Sequence, residues 1–97
     1  MNYYEWLEKV YRKSNGEKLS DSSIKKYDTG LRIISNLMLK EKVIKKNLYY
    51  MNLTEFKIAI NIIYNNYTFI IKNTVGHGMY SNALDKYEKY LKYNTNS

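Results

Sequence analysis

A chain of 97 residues, 44% hydrophobic and 15% aromatic, is enough for one small domain with its own core, which excludes disorder as the whole account. The absence of Cys excludes a disulfide framework, a thiolate zinc site and a thiol nucleophile, and fits an intracellular, cytoplasmic setting. The net charge of +7 favours an anionic partner such as nucleic acid, but Lys, Asn, Ile, Tyr and Phe fill more than half the chain and all have A/T-rich codons, so the position of the lysines must decide.

No Pro and only four Gly leave little to break a helix, and no stretch alternates with period two for long, so an all-α fold is expected. The first helix is predicted over residues 2–13, with Tyr3, Trp6, Leu7, Val10 and Tyr11 on one face and Asn15 or Gly16 as a left-handed cap. The second opens at the N-cap Ser20, with Leu19 stapled against Ile24, turns Ile24, Tyr27, Leu31, Ile34 and Met38 inward, and fades near Lys40. Gly30 within it costs roughly 1 kcal/mol relative to Ala and marks a close helix contact.

A lysine-rich connection over residues 40–47 leads to a third helix that starts at Thr54 with Glu55 behind it. Its side chains Phe56, Ile58, Ala59, Ile60, Ile62, Ile63 and Tyr64 are apolar nearly all round, which predicts the central helix of a bundle. Residues 67–71 either continue that helix or form a short strand, since they are β-branched and aromatic. Residues 73–78 read as a loop. Ser81 then caps a last helix with Tyr80, Ala83, Leu84, Tyr87 and Leu91 inward, so a single domain over 1–93 is followed by a tail or linker at 94–97. The N-terminus has no apolar signal region and the longest apolar stretch is interrupted by Asn and Thr, so neither signal peptide nor membrane span is expected.

Charge is unevenly placed. Residues 1–24 balance, residues 25–46 hold seven basic groups against two acidic, and residues 47–97 hold five against three. Codon bias predicts many lysines but not that clustering. On the second helix Lys25, Arg32 and Asn36, spaced by seven and four, form a polar stripe suited to phosphate contacts, with Arg32 and Asn36 able to reach base edges; the alternative is a plain solvated face. Lys26, Lys45 and Lys46 extend the basic block. The last helix offers Asn82, Lys86, Lys89 and Tyr93, with Ser81 and Asn82 placed either to meet a phosphate at the helix N-terminus or simply to cap it. Tyr27, Tyr64, Tyr80 and Tyr87 fall at core spacing, whereas Tyr49, Tyr50, Tyr90 and Tyr93 are candidates for base stacking.

Catalysis finds little support. Asp28 with Glu55-Phe56-Lys57 loosely mimics the carboxylate spacing of metal-dependent nucleases, but that chemistry needs a β-hairpin and here both carboxylates fall on predicted helices. His77, the single His, lies between two glycines with no evident partner, and no metal, cofactor or catalytic set is expected.

Two patterns resemble known families. Leu19-Ser20-Asp21-Ser22-Ser23-Ile24-Lys25-Lys26-Tyr27 with the amphipathic helix behind it, the Leu53-Thr54 cap and the run Asn82-Ala83-Leu84-Asp85-Lys86-Tyr87-Glu88-Lys89-Tyr90-Leu91 looks like the SAM-like core-binding domain of tyrosine recombinases. Gly76-His77-Gly78-Met79-Tyr80-Ser81-Asn82-Ala83-Leu84-Asp85-Lys86-Tyr87 resembles a G-x-x-M-Y-S-N-A-L-x-x-Y signature of small helical domains at the front of some restriction endonucleases. Both resemblances imply DNA binding by the second and last helices, although neither a recombinase catalytic set nor a nuclease core follows within 97 residues. The expectation is an orthogonal, SAM-like bundle of four or five helices that serves as the N-terminal recognition or docking domain of a restriction-type endonuclease, with duplex DNA and an attached nuclease domain as partners. The expected DNA-binding set is Ser22, Ser23, Lys25, Lys26, Arg32, Asn36, Lys45, Lys46, Ser81, Asn82, Lys86 and Lys89. The alternative is a helical protein-interaction module, such as an accessory protein of a phage or mobile element.

Overall fold

The computed structural model describes residues 1–96. Five α-helices follow one another: α1 (Tyr3–Lys9), α2 (Asp21–Lys40), α3 (Leu53–Tyr64), α4 (Tyr67–Val75) and α5 (Met79–Asn96), with a 3-10 turn at Leu48–Tyr50 and no strand among the described residues. Asparagine, abundant in this chain, starts most of them by accepting a first-turn amide. Asn2 accepts from Glu5 N–H, Asn66 from Phe69 N–H, and Asn52 from Glu55 N–H while the Glu55 carboxylate returns to Asn52 N–H in a capping box. Ser20 caps α2 as its sequence predicts, accepting from Ser23 N–H.

Two helices end alike. After α2, Val43 N–H reaches back to Met38 C=O at 2.9 Å and Lys42 N–H to Leu39 C=O at 3.0 Å, while Lys42 itself takes the left-handed conformation at φ 59°. After α4, Gly78 N–H bonds Asn73 C=O, His77 N–H bonds Thr74 C=O, and His77 is left-handed at φ 54°. Both are Schellman endings, in which the left-handed residue is usually Gly.

The core is organised on α2 and α5, with α1 laid across both, α3 against α5, and α4 against α3 and α5. Leu7, Leu31, Ile34, Met38, Leu48, Phe56, Ile63 and Leu84 are fully buried, each stabilising the fold by about 1.5–3 kcal/mol through removal from water. Gly30 sets the α2–α5 approach, because a Cβ there would stand 2.7 Å from Met79 Sδ. Tyr87 is the aromatic hub, 5.1 Å from Tyr3, 5.2 Å from Phe56 and 5.8 Å from Tyr49 between ring centroids, and Tyr3 O–H donates to Ala83 C=O at 3.0 Å.

Several local expectations change. The first helix stops at Lys9, not Lys13, because the Arg12 guanidinium turns back onto the carbonyls of Glu8, Lys9 and Tyr11 and a turn at Gly16 follows. The third helix is peripheral, with Ile58 and Ile62 in solvent. Residues 67–71 are helical in spite of their β-branching, since Asn66 supplies a cap, and that helix runs through Val75, into the stretch expected to be a loop. Ser81 lies inside α5, which continues through residues 94–96, where a tail was expected; Ser97 lies outside the described residues.

Candidate nucleic-acid interface

The outer face of α2 carries the expected stripe. Lys25, Lys26, Arg32 and Asn36 are all exposed, and Lys40 continues the stripe four residues after Asn36. Lys40 and Lys42 belong to this surface although the sequence set left them out; the step of four was the signal available. From Lys25 to Lys40 the stripe runs about 22 Å along the helix axis, roughly two-thirds of a turn of B-DNA. Among the described residues Lys25, Lys26, Arg32, Lys40, Lys42 and Lys45 have no ion pair; elsewhere the same holds for Lys18 and Lys57, for Arg12, which bonds backbone carbonyls, and for Lys72 and Lys86, which lie over tyrosine rings. Ser22 and Ser23 are engaged locally with Ser20, at 3.2 and 2.9 Å between hydroxyl oxygens.

The basic turn after α2 is fixed by one buried hydroxyl. Ser35 is fully buried on α2; its O–H donates to Asn47 Oδ1 at 2.9 Å and its oxygen accepts from Leu48 N–H at 3.1 Å. Leu48, fully buried, then locks the return of the chain. Lys45 projects from this turn, whereas Lys46 is held 3.0 Å from Glu55. The Asn52 N–H and, second, the Lys46 ammonium hold the Glu55 carboxyl below its ordinary value of 4.5. Glu55 is thereby committed to a helix cap. Asp28 stands apart, where its charge adds to the burial that raises the Tyr3 hydroxyl and pushes Tyr49 up to about 12, with Arg32 opposing the latter shift.

The last helix does not extend the basic face. Lys86 is only 9% exposed, its Nζ lying 4.5 Å from the Tyr27 ring centroid and 5.3 Å from that of Tyr11. Lys89 pairs with Asp85 at 3.4 Å and Lys92 with Glu88 at 3.0 Å. Ser81 is no free N-cap: its N–H bonds Asn73 Oδ1 at 3.0 Å, its hydroxyl donates to Gly78 C=O and accepts from Asn73. Asn82 is exposed but shares its hollow with the Asp85 carboxylate, an unfavourable neighbour for phosphate.

Of the tyrosines offered for stacking, Tyr49, Tyr50 and Tyr93 are exposed, while Tyr90 belongs to the cluster with Tyr3, Trp6 and Tyr87. Tyr64, expected in the core, is exposed. The missed surface is apolar: Ile58 and Ile62 on α3 and Tyr67, Ile71 and Val75 on α4, each pair of neighbours four residues apart on its helix, lie in solvent. The near-continuous hydrophobicity of α3 concealed this, because the number of apolar residues exceeds what one small core can take in.

The residues of the Gly76–Tyr87 signature have packing roles. Gly76 leaves room for the Tyr80 ring, which would stand 2.9 Å from a Cβ; Gly78 has φ 79°; Met79 touches Gly30; Ser81 locks to Asn73; Ala83, Leu84 and Tyr87 are core. Such a pattern positions α5 against α2 and α4. No protein-family model, curated protein or solved structure matches this chain.

Proposed function

We propose that this chain binds duplex DNA through the outer face of α2 and the turn after it, as the recognition or docking module of a restriction-type endonuclease. The observation that carries the reading is the sorting of cations. Those on residues 25–45 stand exposed without ion pairs, whereas Lys9, Lys13, Lys46, Lys89 and Lys92 are paired with carboxylates and Lys72 and Lys86 lie over tyrosine rings. Unpaired cations on a rigid helix release counterions when they meet phosphates, and Arg32 and Asn36 lie among them to reach base edges. The nuclease context rests on the signature resemblance alone; a reading frame or neighbouring gene that encodes a nuclease core supports it, and a locus without one refutes it.

The test is fluorescence anisotropy with random-sequence duplex over a salt series. Affinity should fall with a log–log slope between about −3 and −5, and Lys25→Glu with Arg32→Glu should lower affinity more than about tenfold and reduce the slope by about 2. A flat salt dependence, or a double variant that binds like the parent, refutes the reading.

The exposed apolar side chains of α3 and α4 favour a second reading, a helical protein-interaction module. Ile62→Lys with Ile71→Lys should then abolish capture of a partner while leaving the fold intact. Duplex binding that survives these substitutions assigns DNA to α2 and separates the two surfaces.

A further inference from the structure

Away from the α2 stripe, an open cleft of about 700 Å³ lies where α1 and the turn after it meet the start of α2 and the middle of α5. We propose that this cleft binds a nucleotide unit, a flat base carrying a phosphate. The inference does not rest on the DNA reading of α2.

Charge is the first argument. Four cations line the cleft, Arg12, Lys13, Lys86 and Lys89, and no carboxylate does. Lys13 and Lys89 reach Glu17 and Asp85 only across exposed contacts of 3.8 and 3.4 Å, which water screens and a phosphate displaces readily. Lys86 differs, being 9% exposed with its ammonium between the Tyr11 and Tyr27 rings. Ring faces offset part of the lost hydration but accept none of the three N–H donors in the manner of an oxygen, and Lys86 has no ion pair or hydrogen bond among the described residues. An ammonium without a counter-charge, carried on an almost fully buried side chain and lining a cationic cleft, is placed to receive an anionic oxygen.

Shape and surface chemistry supply the base half. Tyr11, Val10 and Leu19 give a half-buried apolar wall, and Trp6 behind them carries a buried indole N–H with no acceptor. The volume lies within the range of small-ligand pockets. An inorganic anion would leave the aromatic wall unused, and an acyl chain would leave four cations unused.

Trp6 is the only tryptophan, so its fluorescence reports on the cleft directly. The full chain is titrated with adenosine 5′-monophosphate, adenosine, inorganic phosphate, and duplexes that are blunt or bear one unpaired 5′-phosphorylated nucleotide. Saturable quenching by the monophosphate, weaker by at least about tenfold for adenosine and for inorganic phosphate, is expected. Lys86→Met, which keeps the stem and removes the charge, should weaken it by at least about tenfold. Lys13→Glu with Lys89→Glu, both exposed, tests the same cleft if Lys86→Met fails to fold. Displacement of the monophosphate by the overhang duplex but not the blunt one identifies a strand end as the source; quenching by the monophosphate alone identifies free nucleotide. No quenching by either, equal quenching by inorganic phosphate, or unchanged binding by the folded variants overturns the proposal.

Discussion

Replacing Ser35 by Ala tests whether one hydroxyl anchors the basic turn. In the wild type the Ser35 oxygen accepts the Leu48 amide at 3.1 Å and its proton goes to Asn47 Oδ1 at 2.9 Å, all against a fully buried Leu48 side chain. The substitution removes no apolar contact, but it leaves the Leu48 N–H buried without an acceptor, while Asn47 Oδ1 keeps the Tyr49 amide. An orphaned buried amide costs about 1–3 kcal/mol. For a domain of this size each kcal/mol lowers Tm by roughly 4–8 °C, so a loss of about 2 kcal/mol corresponds to roughly 8–16 °C. Thermal and urea unfolding followed by circular dichroism give the number, with exposed Ser14→Ala as the reference at about 0.5 kcal/mol or less. Amide exchange gives the locality: Leu48 should be protected in the wild type and exposed to exchange in Ser35→Ala well before α5. A loss below about 0.5 kcal/mol, or a Leu48 amide that exchanges freely in the wild type, refutes the reasoning.

Acid sensitivity should include Glu55. Its carboxyl is held below 4.5 when folded, so its stabilising share is complete above that value and is lost as pH falls through the lower folded-state pKa; Glu55→Gln should be less stable at neutral pH and lose less between neutrality and about pH 3 in thermal melts. At the alkaline end, burial pushes the Tyr49 and Tyr87 hydroxyls up to about 12 and raises Tyr3 as well. Their contribution is complete below the ordinary 10.0 and is lost as pH rises through about 12, so a spectrophotometric titration should show these three hydroxyls ionising together with unfolding. Gly30→Ala should be nearly neutral alone, because roughly 1 kcal/mol of helix propensity is set against displacement of Met79, and it should become stabilising in a Met79→Ala background. Urea unfolding of the four variants should give a coupling of at least about 0.5 kcal/mol; strict additivity would remove the claimed contact.

Where the chain's own chemistry is local, structure was readable in advance. Ser20 as the start of α2, the inward row Ile24, Leu31, Ile34 and Met38, and the close approach at Gly30 all follow from caps and from spacings of three or four, and all stand in the fold. What was not readable depends on partners distant in sequence. Nothing local tells that Asn73, eight residues away, takes the Ser81 amide, that Tyr11 and Tyr27 enclose Lys86, or that α5 rather than α3 occupies the middle. Periodicity could place Lys86 on a helix face but could not show which neighbour covers that face. The charge of α2 was legible because its outer face has no covering element; the neutralisation of α5 was half legible, since Asp85 and Glu88 stand four residues from Lys89 and Lys92.

The left-handed backbone at Lys42 sets stability and charge in opposition at one position. A residue with a Cβ is strained there by roughly 1–2 kcal/mol, and glycine would relieve most of it. Any selection for thermal tolerance alone, natural or in the laboratory, will therefore reach for Lys42→Gly early, and each such gain removes a cation from the turn that continues the α2 stripe. A library of this domain sorted by melting temperature and one sorted by affinity for a polyanion should diverge at residue 42, whereas at His77, left-handed but outside the stripe, both can drift to glycine together.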